Sequence, residues 1–135
     1  MRTTCFVNID KNPVIRNLQR LVITNITLDI STISNIFNAI KLSRVMKSLK
    51  VTRNDLSFVS HLDECIRNVH KVDLTNCQIT TFQYNKLVNN LKNSRITKLT
   101  MVGVFGHGFG GFNRTIKEKE TLIKACNEQG ILFEY

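Results

Sequence analysis

The sequence predicts an α/β fold: a short solenoid of about four strand–helix units, with a parallel concave sheet and a capping strand at each end. Three observations predict it. One apolar pattern recurs four times along 135 residues. Apolar stripes at helical spacing separate the copies. Both ends depart from the pattern, as the exposed ends of a stacked array must.

The elements follow in order. Thr4–Ile9 alternates around Phe6 and is read as a first capping strand. The recurring pattern is L-x-x-L-x-L-x-x-N/C-x-L. Its first copy uses Leu18, Leu21, Ile23, Ile26 and Leu28, and its second uses Met46, Leu49, Val51, Asn54 and Leu56. The third uses Val69, Val72, Leu74, Cys77 and Ile79. The fourth uses Ile96, Leu99, Met101 and Val104, and then breaks at Gly106. The starts at 18, 46, 69 and 96 are 28, 23 and 27 residues apart.

Between copies, Ile33, Ile36, Phe37 and Ile40 fall at i, i+3, i+4, i+7, and so do Tyr84, Leu87, Val88 and Leu91. Val59, Leu62, Cys65 and Ile66 nearly do. Each stripe predicts a short amphipathic helix. Ser57 and Thr80 or Thr81 stand where N-caps belong. Residues 107–135 form the C-terminal cap. Thr115 and Glu118 have capping-box spacing, and a helix to about Asn127 turns Leu122, Ile123 and Cys126 inward. Gly130 ends that helix, and Ile131–Tyr135 is the last strand. No unit can bury its apolar face alone, so the units must stack into one domain over residues 1–135.

These residues resemble a leucine-rich repeat protein of the ribonuclease-inhibitor-like type. The clearest stretch is Val69-His-Lys-Val-Asp-Leu-Thr-Asn-Cys-Gln-Ile79, and the resemblance covers about residues 16–106. It implies a curved sheet whose concave face binds another protein, in an adaptor, inhibitor or recognition role without enzymatic activity. The polar position, Asn54 and Cys77, has its own physical reason. A side chain aimed into the turn that leaves the strand can satisfy backbone groups that stacking would bury bare.

Lys plus Arg number 19 and Asp plus Glu 10, a formal charge of +9. The excess is spread over both halves, which excludes a basic arm and favours acidic partners. Arg16, Arg44 and Arg67 each lie two residues before a copy of the pattern, and Arg95 lies one before. Arg20, Lys47, Lys71 and Lys98 follow them. Stacking would place these cations along the edge where helices return to strands. Lys41–Arg53, with Lys50 and Arg53, is the densest part. This edge reads either as an anion-binding line for an acidic protein or as cations that complement helix C-termini. A nucleic-acid binder using the same ladder is the alternative.

The concave row between core positions comprises Arg20, Val22 and Thr24; Ser48, Lys50 and Thr52; Lys71, Asp73 and Thr75; and Thr97, Lys98, Thr100 and Val102. It is mixed and mildly basic. Phe105-Gly-His-Gly-Phe-Gly-Gly-Phe112 contains G-x-G-x-x-G, yet too few strands follow for a dinucleotide sheet. It reads as an insertion or as a contact loop with Phe105, Phe109 and Phe112 as anchors and His107 at its tip.

No catalytic constellation, metal site, cofactor site or small-molecule substrate is expected. His61, His70 and His107 fall in different units without ligand spacing. Asp63-Glu64 is expected on a solvated helix face. Cys5, Cys65, Cys77 and Cys126 are spread without a CxxC pair and read as buried thiols of an intracellular, cytoplasmic or nuclear protein. No segment has the run of apolar residues that a membrane helix needs.

Overall fold

The computed structural model describes residues 13–104 and 116–135. The order is α1 (Pro13–Arg16), β1 (Arg20–Ile23), α2 (Ile30–Leu42), β2 (Ser48–Val51), α3 (Leu62–Ile66), β3 (Lys71–Asp73), α4 (Thr81–Asn90) with a 3₁₀ turn over Leu91–Asn93, β4 (Lys98–Thr100), α5 (Ile116–Glu128) and β5 (Leu132–Glu134). The five strands form one all-parallel sheet in sequence order. Arg20, Ser48, Lys71, Lys98 and Leu132 stand side by side, two residues before Val22, Lys50, Asp73, Thr100 and Glu134.

The alternation sets two faces. Leu21, Leu49, Val72 and Leu99 are buried, on the side where each helix packs on the next. The expected stripe residues join this core. Ile33, Ile36, Phe37 and Ile40 are buried, as are Tyr84, Leu87 and Leu91. The buried apolar residues form one cluster from Ile15 to Ile131. In α5, Leu122 and Cys126 are buried, whereas Ile123, also expected to face inward, is half-exposed.

Local chemistry explains the boundaries. Asp29 caps α2 by accepting the Thr32 N–H at 2.8 Å; that bond holds its carboxyl below the usual carboxylate range. Thr80 caps α4 in a reciprocal box with Gln83. Gly130, at φ +69°, ends α5. Its N–H bonds Asn127 O and the Ile131 N–H bonds Cys126 O, the paired closure that a left-handed glycine permits.

Two further expectations need correction here. Ser57 caps no helix. Its N–H and hydroxyl both bond the Asp55 carboxylate, and α3 starts at Leu62 after a left-handed His61. With only five residues left for α3, the chain crosses that unit in turns. Asp63 is not solvated either. It is buried, and Asn90 Nδ2 donates to it at 2.6 Å, joining α3 to α4. Only Glu64 stays open, beside Lys41 at 3.4 Å and His61 at 3.6 Å. Thr4–Ile9, the loop 105–112 and the Thr115 cap lie outside the described residues.

The polar position does as its chemistry suggests. Asn54 Oδ1 accepts the Leu28 N–H, and Nδ2 donates to Ile26 O and Thr52 O. One unit further on, the Cys77 thiol donates to Val51 O at 3.1 Å. Burial pushes the thiols of Cys65, Cys77 and Cys126 up to about 11, so thiolate, the reactive form, is scarce near neutrality.

Candidate functional site

The face of the sheet opposite the core is a shallow trough lined by Arg20, Lys50, Lys71, Asp73, Lys98 and Glu134 among others. Alternation puts them there, since each flanks a buried core residue. Lys98 Nζ lies 3.5 Å from Glu134 Oε1, which also accepts from the Thr100 hydroxyl. Asp73 is bonded by the Thr75 N–H and hydroxyl. Both carboxylates are thus engaged, while Arg20, Lys50 and Lys71 are exposed and make no ion pair with the described residues. Thr97 does not belong to this row. It precedes β4 and bonds His70 O.

The edge where helices return to strands carries Arg16, Arg44, Arg67 and Arg95. The first three stand four residues before the aligned positions Arg20, Ser48 and Lys71; Arg95 stands three before Lys98. Backbone bonds tie these corners together. The Arg95 N–H donates to Arg67 O at 2.6 Å, and the Ser43 hydroxyl, next to Arg44, donates to Arg16 O at 3.1 Å. Lys47 joins the same edge, for its N–H bonds Gln19 O and its carbonyl accepts from Lys71.

All four arginines are exposed. Among the described residues, none of their guanidinium groups hydrogen-bonds a carbonyl or pairs with a carboxylate. Helix-end carbonyls are met by other groups. Ile40 O takes the Ser43 N–H, Ile66 O the Val69 N–H, and Leu91 O both the N–H and the hydroxyl of Ser94.

The basic segment Lys41–Arg53 is split by the fold. Lys41 pairs with Glu64 at the end of α2, Lys50 is on the open face, and Arg53 is at the opposite end of the strands. Arg53 is one of four equivalent residues, Asn25, Arg53, Asn76 and Gly103, each five positions beyond the aligned start of its strand. All four have φ between 57° and 77°. Asparagine and glycine tolerate that region; arginine costs about 1 kcal/mol there. Arg53→Asn, which places there the residue found at two of the equivalent positions, should therefore raise the thermal midpoint by roughly 2 °C. A lower midpoint in a calorimetric scan would mean that the Arg53 side chain contributes more than its backbone costs. Beside it, Thr27, Asn54, Asp55, Asn76, Gln78 and Gly103 line a cleft of about 570 Å³ that sequence reading missed.

No protein-family model matches the chain, and no curated protein matches it. Among the described residues there is no group of three or more His, Cys, Asp or Glu placed to hold a metal ion. No helix among them is long and apolar enough to cross a membrane. Phe105, His107, Phe109 and Phe112 lie outside the described residues.

Proposed function

We propose that this chain is a short leucine-rich-repeat solenoid and a non-enzymatic protein-interaction module, an adaptor, inhibitor or recognition subunit, that binds an acidic protein partner. The open face would be its concave surface, and Arg16, Arg44, Arg67 and Arg95 its basic edge. A sheet of sequential parallel strands, with the same left-handed exit after four of them, supports the solenoid reading.

One observation carries the binding reading. Four guanidinium groups stand at successive corners, exposed, and without a partner among the described residues. A structural cation at a helix end can also bond the last carbonyls, and here Ile40 O, Ile66 O and Leu91 O are bonded by serine and backbone N–H groups instead. Each guanidinium offers five donors in a planar fork that fits a carboxylate.

Charge reversal tests the reading. Arg44→Glu, Arg67→Glu and Arg95→Glu together should abolish capture of acidic proteins from a cell lysate, with the thermal midpoint nearly unchanged because the side chains are exposed. Capture should persist after nuclease and weaken as salt rises. Equal capture by the reversed protein removes the edge from the mechanism. Capture that nuclease abolishes transfers the ladder to nucleic acid, for which steep salt dependence is the signature.

A further inference from the structure

We propose that the arginine edge is shaped for an acidic α-helix of the partner, with carboxylates at i, i+3, i+7 and i+10; this rests on the reading that the edge binds an acidic protein. The argument is one of spacing. The arginines sit on successive corners of a parallel sheet, tied by the Arg95–Arg67 backbone bond and the Ser43–Arg16 bond. Neighbouring strands in a sheet lie about 4.8 Å apart. Four corners that keep this strand spacing fall at about 0, 4.8, 9.6 and 14.4 Å.

A helix rises about 1.5 Å per residue. Carboxylates at i, i+3, i+7 and i+10 then fall at about 0, 4.5, 10.5 and 15 Å, each within about 1 Å of its rung. At about 100° per residue they share one face, within an arc of roughly 80°. An extended segment fits worse. Its side chains on one face repeat every 6.8 Å or so, and by the fourth the mismatch is about 6 Å. Arginine side chains are long enough to absorb 1 Å at little cost, but not a drift that grows with every rung.

Two features of the fold bound the site. The row of cations stops after four units: four residues before Leu132 stands Glu128, an exposed acid at the end of α5. The two carboxylates that line the open face, Asp73 and Glu134, are both engaged in hydrogen bonds. A carboxylate arriving at the four arginine corners therefore meets cations, and the acid in the same register, Glu128, lies beyond the fourth. Arg20 and Lys71, aligned in the sheet and just inside the edge, add attraction along the same line.

The test uses the full chain and two helix-stapled peptides of identical composition, each with four Glu. One carries them at i, i+3, i+7 and i+10; the other distributes them around the helix. Fluorescence anisotropy should show at least tenfold tighter binding of the first at low salt. That preference should vanish in the Arg44→Glu, Arg67→Glu, Arg95→Glu protein, whose fold is checked by its melt. Equal binding of the two peptides overturns the helix and leaves the acidic-partner reading standing. No binding of either peptide overturns both. An oligonucleotide that outcompetes the patterned peptide also overturns the proposal, in favour of nucleic acid.

Discussion

Leu74→Asp should leave no cooperative melt at 25 °C. Leu74 is fully buried just after β3, and its N–H bonds Thr100 O at 2.8 Å. Removing a buried leucine costs roughly 2–5 kcal/mol. An aspartate there is also a charge without a partner, which adds several kcal/mol or forces the carboxyl to stay protonated. A domain of this size is stable by roughly 5–15 kcal/mol, so the sum is comparable with the whole. Circular dichroism against temperature reads the outcome. Leu132→Asp is the control. Leu132 is on the open face of β5 and 60% exposed, so its variant should melt within a few degrees of the parent. If Leu74→Asp melts normally too, the assignment of faces is wrong.

That contrast shows what the sequence made legible. Leu21, Leu49, Val72 and Leu99 stand at one place in a repeated pattern, and repetition turns weak local preference into a register. The same logic exposed Asn54 and Cys77, because a polar residue at a fixed offset among apolar ones needs a reason. Strand order, helix stripes and the Gly130 stop were readable because each rests on local spacing or a single residue's conformational preference.

Less was legible where long-range partners decide. Ser57 has the chemistry of a cap, but its hydroxyl and N–H both go to Asp55, and the helix it would cap starts only at Leu62, packed on α2 and α4. Asp63 looked solvated because nothing local shows that Asn90, 27 residues on, reaches it. Gln83 was visible only as polar, yet it completes the α4 cap and also donates to Leu56 O and Val59 O across the neighbouring unit. The basic run Lys41–Arg53 looked continuous because sequence distance ignores the length of β2, which sends Arg53 to the far end. Glu134 could have been found by carrying the alternation of β4 into β5.

Asn54→Ala should cost about 3–4 kcal/mol, far more than an exposed asparagine would. The side chain is buried, and truncation leaves the Leu28 N–H and the Ile26 and Thr52 carbonyls without it. A buried group so orphaned costs about 1–3 kcal/mol and a half-buried one less; these three are half-buried, which puts each near the lower end. Asn54→Asp separates hydrogen bonding from packing, because it keeps the volume. Its carboxylate could still accept from Leu28 but would face two carbonyls that need a donor. Protonation restores a donor, so the new carboxyl should titrate above its unfolded value. The sign follows from linkage: the stability regained is present at low pH and is lost as pH rises through the folded pKa. Urea unfolding at pH 4 and pH 7 measures it. Asn54→Asp should approach the parent at the lower pH, while Asn54→Ala, having no titrating group there, should keep a nearly constant deficit. Parent-like stability of Asn54→Asp at both pH values, beside the full deficit of Asn54→Ala, would show that Asn54 acts through its volume and not through its bonds. The turn leaving β2 would then be held by packing alone, and the cysteine at the equivalent position in the next unit, whose thiol bonds Val51 O, would be interchangeable with any small apolar residue.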